Sequence, residues 1–181
     1  MGVDGRHVRR QQNREAVIDA LVELFQDGVY EPGSAVIAER AGLSPRSLFR
    51  YFDDIDDLTR AAIDRQMAEA RPLVDLDIGD GAPLALRIER LVASRIRLYD
   101  AIGPSAHAAR TCAHRNPVIE AQIRGARRYL REQIRQLFAP ESMNLAAIDA
   151  LCSFETYELL RAQMSASRLR ATLIDALTAL L

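Results

Sequence analysis

A chain of 181 residues with a formal net charge of −1 lacks the excess of cations that marks many nucleic-acid binders, so such a function must rest on local geometry. Two cysteines cannot build a disulfide framework, no signal peptide is predicted, and charged residues interrupt every apolar run before the roughly 20 residues that span a bilayer. The composition therefore predicts a soluble cytoplasmic protein with no membrane partner, and sparse strand signals among abundant Ala, Leu, Arg, Glu and Ile predict an all-α fold.

The N-terminal third of the sequence predicts a basic arm followed by four helices. The arm covers residues 1–10, carries Arg9 and Arg10, and is expected to be disordered without a partner. Apolar periodicity, capping residues and turn residues then predict helices over 14–25, from Gly33 or Ser34 to Arg40, over 45–51, and from Asp53 or Asp54 to Arg71.

The remaining sequence predicts about five more helices after a loop at 75–83. The expected elements are a helix over 84–102 that Gly103-Pro104-Ser105 breaks, a short helix to Arg115, a long helix over 117–138 capped by Asn116, and two last helices over 145–164 and 168–181. The chain is therefore predicted to contain about nine helices.

The most informative stretch is residues 37–52, IAERAGLSPRSLFRYF. A tight turn between two short helices needs a residue that adopts positive φ, and Gly42 supplies it. Ser44 offers an N-cap oxygen to the next helix, and Pro45 suits its first position. Leu48 and Phe52, spaced i, i+4, are expected to anchor the unit in the core. The stretch predicts a helix-turn-helix.

This stretch resembles the DNA reader of the TetR family of bacterial transcriptional regulators. There an Ile-Ala pair precedes Ala-Gly-Val-Ser, a Leu-Tyr-x-Tyr/His-Phe run and an acidic, Leu-containing helix start, in the order and spacing found here. The resemblance implies an Ω-shaped all-α dimer with an N-terminal three-helix helix-turn-helix domain and a C-terminal helical ligand-binding and dimerisation domain. The expected divisions are 1–53 for the arm and reader, 54–71 for a linking helix, and 72–181 for the regulatory domain.

The reader residues expected to bind DNA include Arg46, whose guanidinium can contact guanine bidentately, while serine hydroxyls mostly fix register on phosphates. The predicted DNA-binding residues are Arg9, Arg10, Ser34, Ser44, Pro45, Arg46, Ser47, Phe49, Arg50 and Tyr51. Two positions depart from the family pattern: Phe49 replaces a common tyrosine, and Ile55 stands where lysine is common. Residues 1–60 also hold eight arginines against eleven acidic residues, which predicts weak, salt-sensitive non-specific binding.

The regulatory half contains candidates for a ligand pocket and for a dimer interface. The predicted pocket residues are Arg95, Tyr99, Arg110, Met143, Phe154 and Tyr157. The predicted interface residues are Leu151, Leu159, Leu169, Leu173, Leu177 and Leu180, which together exceed what one thin domain can bury. His107, Cys112 and His114 do not have the spacing to close one metal site on a helix.

The sequence as a whole predicts a ligand-responsive repressor that binds a palindromic operator as a homodimer. Its expected partners are double-stranded operator DNA and a small-molecule effector, without a cofactor or metal. Two alternatives remain open: a transcriptional activator of the same fold, and a helical enzyme or adaptor that does not bind DNA. No phosphate loop, zinc-binding His pair or nucleophile elbow is present, which disfavours an enzyme.

Overall fold

The computed structural model describes residues 5–76, 78–79, 81–139 and 144–181, and within these ranges the regular structure is helical throughout. The α-helices are α1 (Gly5–Gln26), α2 (Ser34–Arg40), α3 (Pro45–Leu48), α4 (Ile55–Ala70), α5 (Leu84–Ala113), α6 (Pro117–Phe138), α7 (Leu145–Leu151), α8 (Phe154–Arg161) and α9 (Ala166–Leu180), with a 3-10 turn at Arg71–Leu73. The predicted all-α class is confirmed. None of the helices in the described part of the chain is long and apolar enough to cross a membrane.

The first helix is much longer than the sequence periodicity predicts. α1 begins at Gly5, so the prediction that residues up to Arg10 form a disordered arm is wrong from that point on. The physical reason is that Arg and Gln are good helix formers and that neither Pro nor Gly interrupts the chain between Arg6 and Gln26. Arg9 and Arg10 therefore lie on a helix rather than on a free arm.

Helix α5 continues through the predicted break at Gly103-Pro104-Ser105. It contains Pro104 inside a 30-residue helix, and the expected separate helix up to Arg115 is its C-terminal part. Proline removes one backbone hydrogen bond but keeps a helical φ. Buried residues on both sides of Pro104, including Tyr99 at 5% exposure and Ala108 at 0%, hold the two halves in place, so packing overrides the local break.

The helix predicted over 145–164 is instead two helices, α7 and α8. Ser153 caps α8: its backbone is extended, and its Oγ accepts a hydrogen bond from the Thr156 N–H at 3.2 Å. Thr156 in turn donates through Oγ1 to the Ala150 carbonyl at 2.7 Å. Ser153 therefore serves as a helix start, although apolar periodicity alone runs through this position.

The chain divides into two compact units, and α5 and α6 contribute to both. Unit 1 contains described residues 5–69 and 102–123, and unit 2 contains residues 70–101 together with the described part of 124–181. Each unit contains one buried free cysteine, Cys112 in unit 1 and Cys152 in unit 2. The division predicted at residues 53 and 71 stays a prediction.

Each unit has an apolar interior of its own. The main core of unit 1 joins α1, α2, α3 and α4 through Val17, Ile18, Leu21, Val22, Leu24, Phe25, Ile37, Ala38, Leu48, Phe52, Leu58 and Ala62, with Ala108 from α5. Unit 2 buries the α5 residues Ile88, Leu91, Val92 and Leu98, the α6 residues Ile134 and Phe138, and Ile148, Leu169, Leu173 and Leu177 from the last helices. The short helices α2 and α3 and the segment after α3, which carry the candidate site, thus pack on the unit 1 core.

Candidate nucleic-acid interface

The turn between α2 and α3 has the geometry that the sequence predicts. Gly42 adopts a φ of +67°, in the left-handed region, just after the helix end. The Leu43 N–H donates to the Ala38 carbonyl at 2.8 Å, and the Gly42 N–H donates to the Glu39 carbonyl at 3.1 Å. These two bonds form a Schellman motif, which closes α2 and turns the chain sharply towards α3.

Helix α3 starts where the sequence places it. Ser44 has an extended backbone and accepts a hydrogen bond at Oγ from the Ser47 N–H at 3.2 Å, and Pro45 occupies the first helical turn. The hydroxyls of Ser44 and Ser47 also lie 2.9 Å apart. The helix is only four residues long, so its position depends on this cap and on its core contacts.

Two apolar side chains hold α3 in place. Leu48 is fully buried and Phe52 is 2% exposed, and both belong to the core that contains Ile37 of α2 and Phe25 of α1. The Arg14 guanidinium lies 4.9 Å from the centre of the Phe52 ring, in cation–π contact. Tyr51 also packs, partly buried, against this core, whereas Arg46, Phe49 and Arg50 are exposed.

Most of the predicted DNA-binding residues are exposed. Ser44, Pro45, Arg46 and Arg50 are exposed, and Phe49 keeps 48% of its surface accessible. Ser34, Ser47 and Tyr51 are half-buried. Phe49 has no hydroxyl for a phosphate, but its exposed ring lies on the same short segment as Arg46 and Arg50 and is free to make apolar contacts.

A cationic cavity joins α1 to the segment after α3. It has a volume of about 620 Å³ and is lined by Arg9, Arg10, Asn13, Arg50 and Tyr51. The Asn13 side chain donates to the Tyr51 hydroxyl at 2.9 Å and links the two walls. Three guanidinium groups around one concave surface provide the charge and the donors that a phosphate backbone requires.

Asn13 belongs to this cavity although the sequence reasoning did not select it. The signal was present, because residues 9, 10 and 13 share one face of a helix at spacings of three and four. The sequence periodicity predicts a helix only from residue 14, so it does not place residues 9, 10 and 13 on one helix.

Several acidic residues of unit 1 pair with arginines that do not line the cavity. Arg40 contacts Asp27 at 2.8 Å and Glu23 at 3.6 Å, and the hydrogen bond to Asp27 raises the pKa of Arg40. Arg65 contacts Asp19 at 2.7 Å. These surface pairs add little stability, and none of them involves Arg9, Arg10 or Arg50 of the cavity.

The acidic run after α3 starts a helix. Asp54 accepts a hydrogen bond at Oδ1 from the Asp57 N–H at 2.7 Å, and Asp57 accepts one at Oδ2 from the Asp53 N–H at 3.3 Å. Asp57 also pairs with Arg60. These carboxylates cap the positive end of α4 in an arrangement similar to a capping box, and Ile55, the first residue of α4, is partly buried against the unit 1 core.

Four of the six predicted pocket residues lie in unit 2. Arg95, Tyr99, Phe154 and Tyr157 are all buried, and the ring centres of Tyr99 lie 5.5 Å from Phe154 and 5.4 Å from Tyr157. Arg110 instead belongs to unit 1, where it donates to the carbonyl of Ala106 one turn earlier at 3.1 Å. Met143 lies outside the described residues. The structure thus brings together one arginine and three aromatic rings.

The predicted interface leucines separate into two groups. Leu169, Leu173 and Leu177 are at most 3% exposed within the single chain, so they pack inside unit 2 and are not accessible to a second copy. Their periodicity reflects the inner face of α9. Leu159 is 62% exposed, and Leu151 and Leu180 are partly exposed, so these three remain candidates for an intersubunit contact.

The histidines and Cys112 have local partners in unit 1. The His107 ring stacks on Tyr30 with centres 5.2 Å apart, and Nδ1 of His114 lies 2.7 Å from the Thr111 carbonyl. Cys112 is 3% exposed, and burial raises the pKa of its thiol. Each of these three side chains therefore has its own local surroundings.

Comparison with known proteins agrees with the reader assigned from this geometry. Residues 17–62 match the family model "Bacterial regulatory proteins, tetR family". This range covers the C-terminal part of α1, the helix-turn-helix and the first half of α4. The resemblance seen in residues 37–52 is thereby confirmed. No protein of curated function matches the sequence.

Two solved structures share the fold over nearly the whole chain. One is a Streptomyces coelicolor A3(2) protein described as a transcriptional regulator, with a TM-score of 0.69 and 24% identity, covering 93% of this chain and 98% of its own. The other is a Rhodococcus sp. protein described as a TetR-family transcriptional regulator, with a TM-score of 0.67 and 20% identity, at the same coverages. The chain thus has the fold of these two proteins, and its residues 17–62 match the TetR-family model.

Proposed function

We propose that this chain, whose N-terminal domain is that of the TetR family, is a ligand-responsive repressor that binds a palindromic operator as a homodimer. The observation that carries the proposal is the outer side of the reader: Arg46 and Arg50 follow a capped, core-anchored turn beside a cavity lined by Arg9 and Arg10. The same fold also serves activators, so run-off transcription from the bound promoter tests the direction of regulation. Less transcript with the protein than without it supports repression, whereas more transcript shows that the protein is an activator.

The first step of the proposal is that Arg46 and Arg50, both exposed, contact different parts of the DNA. Arg46 lies in the first turn of α3 and reads a base in the major groove, whereas Arg50 lines the cationic cavity and holds phosphate. Replacing Arg46 by alanine is expected to cost about 1–3 kcal/mol on the cognate duplex and to relax preference at one base position. Replacing Arg50 is expected to weaken cognate and scrambled duplexes alike.

Fluorescence anisotropy measures both variants on a duplex from the adjoining intergenic region and on its scrambled sequence. If the Arg46 variant loses equal affinity on the two duplexes, the base-reading assignment is wrong. If the unmodified protein binds neither duplex, the proposed regulator function is wrong, and the alternative of a helical enzyme or adaptor that does not bind DNA is supported.

The second step is dimerisation through the last helices. A palindromic operator needs two readers about 34 Å apart, one turn of DNA, and a twofold dimer provides them. Leu159 of α8 is the most exposed large apolar side chain in the described part of the chain, and it is the residue on which this step rests. A large exposed apolar residue suits a subunit contact.

Replacing Leu159 by glutamate is expected to shift a micromolar dimer towards monomer, because it places a charge in the proposed contact. Sedimentation equilibrium measures the change. Leu86 is the matched control, since it is an exposed leucine of unit 2 at 40% exposure, and its glutamate variant should remain dimeric. A monomeric unmodified protein that still binds the operator contradicts this step.

The third step is that a small molecule binds in unit 2 and lowers operator affinity. The support is the buried group of Arg95, Tyr99, Phe154 and Tyr157, a largely apolar site with few polar groups. A coupling of about 1–3 kcal/mol would weaken operator binding about 5- to 150-fold, and linkage requires DNA to weaken the ligand equally.

A further inference from the structure

Arg95 is a charged side chain in the interior of unit 2. It is 1% exposed on α5, and Nη2 donates to the Leu130 carbonyl on α6 at 3.1 Å. Nε and Nη1, which together carry three N–H groups, have no hydrogen-bond acceptor among the described residues. Burial lowers the pKa of Arg95, although a guanidinium stays charged at neutral pH.

Asp149, the carboxylate that acts on Arg95 in the described part of the chain, does not pair with it. Asp149 acts on Arg95 only at a distance, and its carboxylate is instead hydrogen-bonded at 2.8 Å to Nε of Arg131, an exposed residue of α6. An interior cation with unused donors and no bonded anion is costly, and buried groups in native proteins rarely remain in that state without a function. Arg95 therefore has both the charge and the donors for an anion.

The surroundings of Arg95 restrict what that anion can be. Tyr99 lies one turn further along α5 and donates its hydroxyl to the Cys152 carbonyl at 2.7 Å, and Tyr157 donates its hydroxyl to Asp100. The polar ends of these two rings are thus already bonded. With Phe154 they form what we call the aromatic trio, and the trio contributes apolar ring surface.

We propose that Arg95 binds the carboxylate of an organic acid whose apolar part packs on the aromatic trio, so that the effector of this regulator is an amphipathic carboxylic acid. One buried cation matches one negative charge, whereas a phosphate dianion would leave a net charge in an apolar interior. A carboxylate also accepts several hydrogen bonds from a guanidinium. This inference rests on the function proposed above.

The experiment compares three acids with their neutral amides on the full chain. Calorimetry and thermal unfolding are run with benzoate, phenylacetate and octanoate, and with benzamide, phenylacetamide and octanamide. At least one acid is expected to bind and raise the melting temperature, and its amide is expected to bind at least about tenfold more weakly because the charge-assisted bonds are lost. The acid that binds is expected to weaken operator binding by about 5- to 150-fold.

Variants assign the effect to Arg95. Arg95→Met is expected to bind that acid at least about tenfold more weakly while retaining operator binding, whereas Arg135→Met, an exposed arginine on α6 paired with Glu132, should behave as the unmodified protein. Arg95→Lys keeps the positive charge and replaces the methionine variant in the test if that variant does not fold. Arg95→Lys is also expected to bind the acid more weakly, because lysine lacks the guanidinium fork.

Three outcomes overturn the proposal: none of the acids binds, acid and amide bind equally, or Arg95→Met binds the acid as the unmodified protein does. Acid binding is measured without DNA, so failure of the regulator function appears separately as a lack of duplex binding.

Discussion

Replacing Leu48 by alanine is expected to destabilise unit 1 by about 2–5 kcal/mol and to abolish operator binding at the temperature where the unmodified protein binds. Leu48 is fully buried and is the core residue of α3, a helix too short to form alone. Removing its side chain leaves a cavity beneath the reader, and the cap at Ser44 is insufficient to hold the helix. Denaturant titration followed by circular dichroism measures the loss.

The neighbouring Phe49 provides the matched control. It is 48% exposed, so its alanine variant should change stability by no more than about 0.5 kcal/mol. If the two variants unfold at the same denaturant concentration, α3 is not anchored through Leu48.

Replacing Arg9, Arg10 and Arg50 together by glutamine is expected to flatten the salt dependence of DNA binding. Each lost phosphate contact lowers the slope of log affinity against log salt by about 0.9, so three contacts lower it by about 2.7. All three residues line the cationic cavity, and the loss of affinity should be greatest at low salt. Anisotropy titrations from low to high salt determine the slope.

A change in net charge alone would also alter long-range attraction, so the control removes three arginines elsewhere. Arg127, Arg131 and Arg135 lie exposed on α6 and pair with Glu155, Asp149 and Glu132. Their triple glutamine variant has the same net charge as the cavity variant. An equal slope for the two triple variants would show that the cavity does not contact phosphate.

The reader was predictable from the sequence because each of its features depends on local chemistry. Gly42 was selected for positive φ, Ser44 for its cap and Leu48 for its spacing from Phe52, and the structure confirms the turn, the cap and the burial. Such features involve neighbours within a few residues. Short-range rules are therefore sufficient to place the outer residues, while their contacts with DNA stay a prediction.

Features that depend on distant packing were not predictable in the same way. Pro104 was expected to end a helix, but buried residues on both sides keep α5 continuous. Leu169 and Leu173 were expected at a subunit interface because apolar periodicity marks a buried face without indicating what buries it. Arg95 was selected as one of two polar candidates beside the rings, but its unused donors follow from three-dimensional contacts alone.

The reaction rate of each buried thiol with a thiol reagent measures local opening of the unit around it. Cys112 is 3% exposed in unit 1 and Cys152 is 4% exposed in unit 2, so a thiol reagent reaches each sulfur only when the surrounding unit opens. Burial raises the pKa of Cys152 to about 12, which keeps that sulfur in its unreactive protonated form at neutral pH. Two variants, each keeping only Cys112 or only Cys152, therefore report the local opening of unit 1 and of unit 2 separately through their labelling rates, without an added probe.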